Sequence, residues 1–248
     1  MHVLRQSRRD LAVFAAVAVW IALVLGADRF AAIWEQRALG LITWLVLLAL
    51  LRGESRQVRA QVAVVVVYAT CIEYLASPLL GVYTYRLHNV PAFVPPGHGM
   101  VYLGALALGR SALFTAYRRP VVYGTLAVAG LWAAWGLLLA QRNDAFGAIM
   151  FAFLAAFLLA GRAPTVYAGA FVICSYLELV GTRVGTWTWS THDPTGLFGV
   201  GNPPSGIPGG YCFFDAAALT VAPLLLLALD RMRRSRTPVP APAPVPAG

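Results

Sequence analysis

The chain has 248 residues, of which 59% are hydrophobic and 12% charged, and its mean hydropathy is +0.70. A soluble domain carries about 25% charged residues, so these values predict an integral membrane protein and exclude a tethered globular enzyme. All 19 basic residues are Arg, which excludes the lysine Schiff-base chemistry of retinal proteins. These Arg residues lie singly or in short clusters between apolar segments, a pattern typical of topology signals and not of nucleic-acid binding.

Apolar stretches bounded by charge or by Gly and Pro predict eight helices, and at roughly 20 apolar residues per span the chain has room for about that number. They fall at about 11–27, 38–51, 62–81, 99–117, 121–140, 145–161, 164–184 and 211–229. The second stretch is short, so it can cross the membrane only if residues 31–37 lie at the interface or the bilayer is locally thin. The first is predicted to be an uncleaved span and not a signal peptide. The predicted fold class is therefore all-α, a polytopic membrane helix bundle of about eight transmembrane helices.

The distribution of Arg predicts the orientation of these spans. With the amino terminus inside, thirteen Arg residues face the cytoplasm and five face the other side, while Arg110 stays inside the fourth helix. This positive-inside bias predicts a multi-pass protein of the cell membrane with both termini in the cytoplasm. Residues 237–248 are rich in Pro and Ala and are predicted to be disordered. The sequence predicts no particular oligomeric state.

Two outer loops, at roughly 82–98 and 185–210, resemble each other. Gly81-Val-Tyr83-Thr-Tyr85-Arg-Leu-His88 aligns with Gly185-Thr-Trp187-Thr-Trp189-Ser-Thr-His192, at an offset of 104 residues. Ten residues beyond each His stand His98 and Asn202, and Glu73 and Glu178 precede the two glycines by eight and seven residues. Both preceding helices run outward, so we predict two parallel four-helix repeats, at 1–117 and 118–236.

Four charged side chains lie about one helical turn or more inside the predicted spans: Glu73, Arg110, Glu178 and Asp215. A charged group inside a bilayer is costly unless it is paired or faces a cavity, so each is a candidate functional residue. We expect them to converge on the outer half of the bundle. One Arg cannot neutralise three acids, so at least one carboxyl group should keep its proton and be able to protonate an alkene or relay a proton. A structural role, in which ion pairs fix the helix register, is the alternative.

The histidines His88, His98 and His192 lie in the outer loops, with Asn202 in place of a fourth. Imidazole and carboxylate ligands suit zinc or iron, but the spacings are not those of a helical metal site, and we expect turn or substrate contacts with no metal and no cofactor. The three cysteines show no disulfide or zinc spacing.

Aromatic residues alternate with Thr at Tyr83 and Tyr85 and again at Trp187 and Trp189, which predicts extended segments. They form either an interfacial aromatic belt or a pocket whose ring faces hold a polyene or stabilise a carbocation. The Gly- and Pro-rich runs 94–99 and 201–206 are expected to be irregular, either as outer loops or as a lid over the acids.

The run Glu178-Leu-Val-Gly181-Thr182-Arg-Val-Gly185-Thr-Trp187-Thr-Trp189 resembles the Glu-x-x-Gly-Thr-x-x-Gly-x-Tyr-x-Tyr segment of the carotenoid-biosynthesis membrane proteins that include carotenoid hydratases. The segment from Glu73 to Tyr85 is similar to it more faintly, and each likeness covers about a dozen residues. The layout also resembles small multi-span membrane terpene cyclases, which use a Glu in an early helix and an Asp in the last. Both resemblances imply that an acid protonates a prenyl double bond, and that water or an alkene captures the tertiary cation.

We therefore expect a membrane enzyme, a hydratase or cyclase, that acts on an isoprenoid or other apolar lipid. Asp215 and Glu73 are the predicted proton donor and base, and Glu178 and Arg110 tune their charge. The predicted substrate contacts are Arg110, Tyr83, Tyr85, Trp187, Trp189, His88, His98, His192 and Asn202. Two other classes stay open: a secondary transporter or lipid-handling protein with a proton-coupled carboxylate cluster, and a structural partner in a larger membrane complex.

Overall fold

The computed structural model describes residues 2–236 and is built almost entirely of helices. The helices are α1 (His2–Asp28), α2 (Ile33–Leu51), α3 (Arg56–Tyr74), α4 (Val94–Arg110), α5 (Ala112–Ala116), α6 (Arg118–Leu138), α7 (Ala145–Ala160), α8 (Pro164–Val184) and α9 (Pro208–Arg236). A wider π-helical turn, Leu75–Leu79, extends α3. Two short strands, β1 (Tyr83–Tyr85) and β2 (Trp187–Trp189), form the only sheet within the described residues. The predicted tail at 237–248 lies outside them.

Six of these helices are long and apolar enough to cross a membrane: Gln6–Asp28, Ile33–Leu51, Arg56–Leu79, Arg118–Leu138, Pro164–Val184 and Pro208–Arg233. The helix α7 is also apolar but has only 16 residues, and α4 has 17. The predicted fold class is therefore confirmed in its general form: the chain is an all-α, multi-pass helix bundle.

Four helices form a ring at the centre of the bundle. Both α3 and α8 pack against α4 and α9, while α1 and α2 cover one side and α6 and α7 the other. The contact between α4 and α8 depends on glycine, because a Cβ atom at Gly109 would lie only 2.7 Å from the backbone nitrogen of Val166. Most of the buried core lies on these four helices or packs against them, and nearly all of α4 is buried.

The Pro-rich run at 94–99 is helical, contrary to the sequence prediction. It forms the first turn of α4, with Pro95 and Pro96 at the first helical positions. Proline is tolerated there because the backbone N–H groups of a first turn have no partner inside the helix. The run at 201–206 is irregular, as predicted.

Two arginines hold together the end of the bundle at which the strands lie. Arg86 donates hydrogen bonds to the carbonyl oxygens of Asp28 (2.5 Å) and Ala31 (2.6 Å), where α1 ends. Arg142 donates to the carbonyl oxygens of Trp189 (2.7 Å), Ser190 and Val200. These contacts hold the strand pair and the loop that follows β2 on top of the ring.

Candidate functional site

A cavity of about 360 Å³ lies at the end of the ring next to the strand pair. Its walls are mainly apolar and aromatic, with contributions from α1, α3, α4, α8 and α9. The polar and aromatic groups relevant to chemistry are Glu73, Tyr83, Tyr85, His98, Glu178, Trp187, Trp189 and Tyr211. The cavity thus combines an apolar interior with two carboxyl groups.

Glu73 is the first of these carboxyl groups and is only 7% exposed. Its Oε2 accepts hydrogen bonds from the hydroxyls of Tyr83 (2.7 Å) and Tyr85 (2.8 Å), and its Oε1 lies 2.8 Å from Nε2 of His98. The chain reverses after α3 through Gly81, whose φ of +63° favours glycine. Residues two apart on a strand share a face, so both phenols reach the same oxygen.

The two phenols stay protonated. Burial, reinforced by the charge of Glu73, raises the pKa of Tyr83 and of Tyr85 well above the ordinary tyrosine value. Each therefore acts as a hydrogen-bond donor to Glu73 and not as an acceptor or a base.

Glu178 is the second carboxyl group and is 3% exposed. Its Oε2 accepts hydrogen bonds from Nε1 of Trp187 (3.0 Å) and Trp189 (3.1 Å), and its Oε1 accepts one from the hydroxyl of Tyr211 (3.2 Å). Here Gly185, with φ of +81°, ends α8 and turns the chain into β2.

The two carboxyl groups have corresponding surroundings. The strands pair antiparallel, with Thr84 opposite Thr188 at the centre of the register. In both cases Oε2 accepts hydrogen bonds from two aromatic side chains of the strand that follows. Oε1 contacts a third partner on a helix, which is His98 of α4 for Glu73 and Tyr211 of α9 for Glu178. The rings of His98 and Tyr211 stack with centroids 5.6 Å apart.

These contacts change the predicted alignment of the two halves. By its contact with the carboxyl group, the counterpart of His98 is Tyr211 and not Asn202. Pro208-Gly-Gly-Tyr211 begins α9 much as Pro95-Pro-Gly-His98 begins α4. Tyr211 is therefore a site residue that the sequence prediction missed, and this likeness at the helix starts is the signal that identifies it.

The chemical difference between the two acids lies in their third partner. His98 is the one imidazole in the cavity wall of the described chain and can carry a positive charge beside Glu73. The three donors to Glu178 are neutral indole and phenol groups. The site therefore pairs a carboxyl group that has a titratable neighbour with one that has only neutral donors.

Asp215 does not line the cavity, although it was the predicted proton donor. It lies on α9, one helical turn beyond Tyr211, is 3% exposed, and its Oδ2 has no hydrogen-bond partner among residues 2–236. Its predicted catalytic role stays a prediction.

Arg110 lies far from the cavity, so the expected convergence with the three acids is wrong for this residue. It follows His98 by twelve residues on α4, which places it about 18 Å further along the helix axis. Its guanidinium bonds Glu54 (2.7 and 2.9 Å) and Asp10 (2.8 Å). These acids lie at the end of the bundle opposite the strands, outside the predicted spans.

Three other predicted contact residues lie in exposed outer turns. His88 and His192 are exposed, and Asn202 is exposed but accepts a hydrogen bond from the backbone nitrogen of Trp189 at 3.0 Å. None of these three lines the cavity. Within residues 2–236 no group of three or more His, Cys, Asp or Glu side chains is arranged to hold a metal ion.

Comparison of the chain with protein-family models, with curated proteins and with solved structures finds no match.

Proposed function

We propose that this protein is a membrane enzyme that protonates an alkene of an isoprenoid or other apolar lipid, leading to hydration or cyclisation. The observation that carries the proposal is that Glu73 and Glu178 line the same apolar, aromatic cavity inside a membrane bundle. An apolar cavity suits a lipid chain, and two carboxyl groups supply an acid and a base.

Glu178 is the proposed proton donor. All three hydrogen-bond donors to Glu178 are neutral. Glu178 therefore has no ion pair that would be broken when its proton is transferred to a substrate. The carboxylate that remains is stabilised by two indole N–H groups and a phenol hydroxyl. This assignment gives Glu178 the role of proton donor that the sequence suggested for Asp215.

Glu73 and His98 together form the proposed base. After protonation of the alkene, a water that attacks the cation must lose a proton, and the imidazole of His98 can accept it. The imidazolium is then stabilised by Glu73, whose Oε1 lies 2.8 Å from Nε2. In a cyclisation the same pair removes the proton that the cation releases. The net hydration adds one water and leaves the enzyme unchanged once a proton returns to Glu178.

Aromatic rings are the proposed stabilisers of the cation. Tyr83 and Trp189 have ring centroids 4.8 Å apart and both line the cavity between the two acids. The face of an aromatic ring attracts a cation, and the attraction is larger where water is excluded.

The finer topology also belongs to this proposal. We place eight spans in the membrane, with α4 and α7 as short spans and both termini on the cytoplasmic side. The two parallel repeats are 1–117 and 118–236. The matching hydrogen bonds of Glu73 and Glu178, and the antiparallel pairing of β1 with β2, support a duplication.

Mass spectrometry of lipid extracts tests the proposal. A host that makes prenyl precursors expresses wild type, Glu178→Gln, Glu73→Gln and the matched control Glu35→Gln, an exposed glutamate at the start of α2. We expect a water adduct or an isomer of a precursor from wild type and Glu35→Gln, and neither product from the two cavity variants. Equal extracts from all four proteins at equal abundance would contradict the proposal and favour the transporter alternative.

A further inference from the structure

Three buried oxygen atoms have no hydrogen-bond partner within residues 2–236, and each belongs to a helix that also contributes to the cavity wall. They are Oη of Tyr102 on α4, Oγ of Ser175 on α8 and Oδ2 of Asp215 on α9, and none has a hydrogen bond within the described chain. The three residues are 1%, 9% and 3% exposed. Buried polar groups are almost always hydrogen-bonded, to protein or to ordered water, so three such atoms together need a partner.

The helix spacing places the three oxygens on the same side of their helices as the site residues. Tyr102 follows His98 by four residues and Asp215 follows Tyr211 by four, while Ser175 precedes Glu178 by three. Residues three or four apart lie on one helix face, about one turn or 5 Å along the axis. Each oxygen therefore belongs to a side chain one turn inward from a group in the cavity wall.

The packing of the ring brings the three side chains to one level. A Cβ atom at Gly104 of α4 would lie 3.6 Å from the side chain of Ile173, which puts Tyr102 level with Ser175 because the two helices run in opposite directions. Tyr211 of α9 bonds Glu178 of α8, and these two helices also run in opposite directions, so Asp215 lies level with Cys174, next to Ser175. One carboxyl and two hydroxyl groups thus lie buried at one level of the bundle.

We infer that Tyr102, Ser175 and Asp215 form a polar chamber that binds water and supplies it to the cavity above. This inference rests on the proposed function and deepens it, because it makes the reaction a hydration. An apolar cavity inside a membrane needs a source of water for a hydration. The three side chains lie about 5 Å from the cavity wall along the helix axes, a distance that two hydrogen bonds through one water molecule can span.

Hydroxyl-radical footprinting of the full chain in lipid nanodiscs tests whether the chamber is wet. Radiolysis of bound water oxidises side chains next to it, so Tyr102 and Cys174 serve as reporters. We expect both to be modified in wild type although they are buried, and to be modified several-fold less in Asp215→Leu. Asp215→Asn, which keeps a polar group, and Ile173→Val, which removes no oxygen, should match wild type.

Two results would overturn the chamber: unmodified reporters in wild type, or equal modification in wild type and Asp215→Leu. If Asp215→Leu does not accumulate, Ser175→Val provides the same comparison with Tyr102 and Cys174 as reporters.

The ratio of lipid products tests the supply of water. With less water the cation loses a proton instead, so Asp215→Leu should shift the products from the water adduct towards an isomer while substrate is still consumed. A wet chamber with an unchanged ratio overturns the supply role. If wild type makes no product, both the proposed function and the role of the chamber in supplying water are wrong. The footprinting result then still decides whether the chamber holds water.

Discussion

Tyr83 and Trp189 lie opposite each other in the strand pair, with ring centroids 4.8 Å apart, and each donates a hydrogen bond to a different carboxyl group. Tyr83 bonds Glu73 of α3 and Trp189 bonds Glu178 of α8. Because the two rings are in contact, the strand pair fixes the positions of both acids relative to each other. The two strands, six residues in all, therefore position both carboxyl groups of the candidate site.

The first prediction concerns the ionisation of the two strand phenols. Burial raises the pKa of Tyr83 and Tyr85, so neither should form phenolate while the protein is folded. In the unfolded chain both ionise near a pH of about 10. Their contribution to stability is therefore fully present below that pH and is lost as the pH rises above it.

An ultraviolet titration of phenolate absorbance checks this. Wild type and the double variant Tyr83→Phe, Tyr85→Phe should titrate alike when folded. In denaturant, which serves as the control, the double variant should show two fewer phenols. A loss of absorbance in the folded double variant would contradict the prediction.

A second prediction concerns the close contact between Gly181 and Trp187. A Cβ atom at Gly181 would collide with the indole ring of Trp187, which donates to Glu178. Gly181→Ala should therefore displace the ring, destabilise the fold by about 1–3 kcal/mol, and lower product formation by on the order of a hundredfold. Thermal unfolding and lipid extracts measure the two effects.

Two further variants separate packing from hydrogen bonding at this contact. Gly124→Ala on α6 is the matched control, because a Cβ atom there meets nothing within 4 Å. Adding Trp187→Phe to Gly181→Ala should restore stability without restoring product, since phenylalanine has no N–H to donate. Full activity in Gly181→Ala would show that the bond from Trp187 is dispensable.

The sequence singled out both cavity glutamates and the four strand aromatics as candidates because these residues lie close together along the chain. Glu73 and its two tyrosines lie within thirteen residues of one another, and Glu178 and its two tryptophans within twelve. A glutamate, a turn glycine and an alternating aromatic strand suffice to bring these groups together. The same short-range pattern recurs at an offset of 104 residues, so it drew attention to both glutamates.

Contacts between distant helices were harder to predict. The offset grows from 104 residues at the strands to 113 between His98 and Tyr211, because the second outer loop is longer, so a fixed offset selected Asn202 instead. The partners of Arg110 depend on which helix ends meet, and the apolar pattern of a span does not specify that.

The third prediction concerns the ion cluster of Arg110, Asp10 and Glu54, at the end of the bundle opposite the strands. Arg110 bonds the buried carboxylates of Asp10 and Glu54, so Arg110→Met leaves two buried charges without their main partner. We expect a loss of about 3–5 kcal/mol in the free energy of unfolding. Arg56→Met, which breaks an exposed pair with Asp230, is the control and should leave the free energy of unfolding close to that of wild type.

Product formation by the same variants is expected to behave differently from their stability. Because Arg110 lies about 18 Å from His98 along α4, the pH dependence of product formation per folded molecule should not change in Arg110→Met. A shifted pH profile would show that Arg110 does tune the cavity acids, as the sequence had indicated.

The last prediction concerns Asp144, which anchors the irregular loop after β2. Its carboxylate accepts hydrogen bonds from the backbone nitrogens of Gly147 (3.0 Å), Gly201 (2.7 Å) and Ser205 (2.7 Å), and it is 2% exposed. Asp144→Ala leaves these buried donors without an acceptor, at a cost of about 3 kcal/mol or more. The loop at 190–207 should then be cleaved faster in limited proteolysis. Asp193→Ala removes an exposed carboxylate from the same loop, where water replaces the lost bonds, so its cleavage rate should equal that of wild type; equal rates for both variants would refute the anchoring role of Asp144.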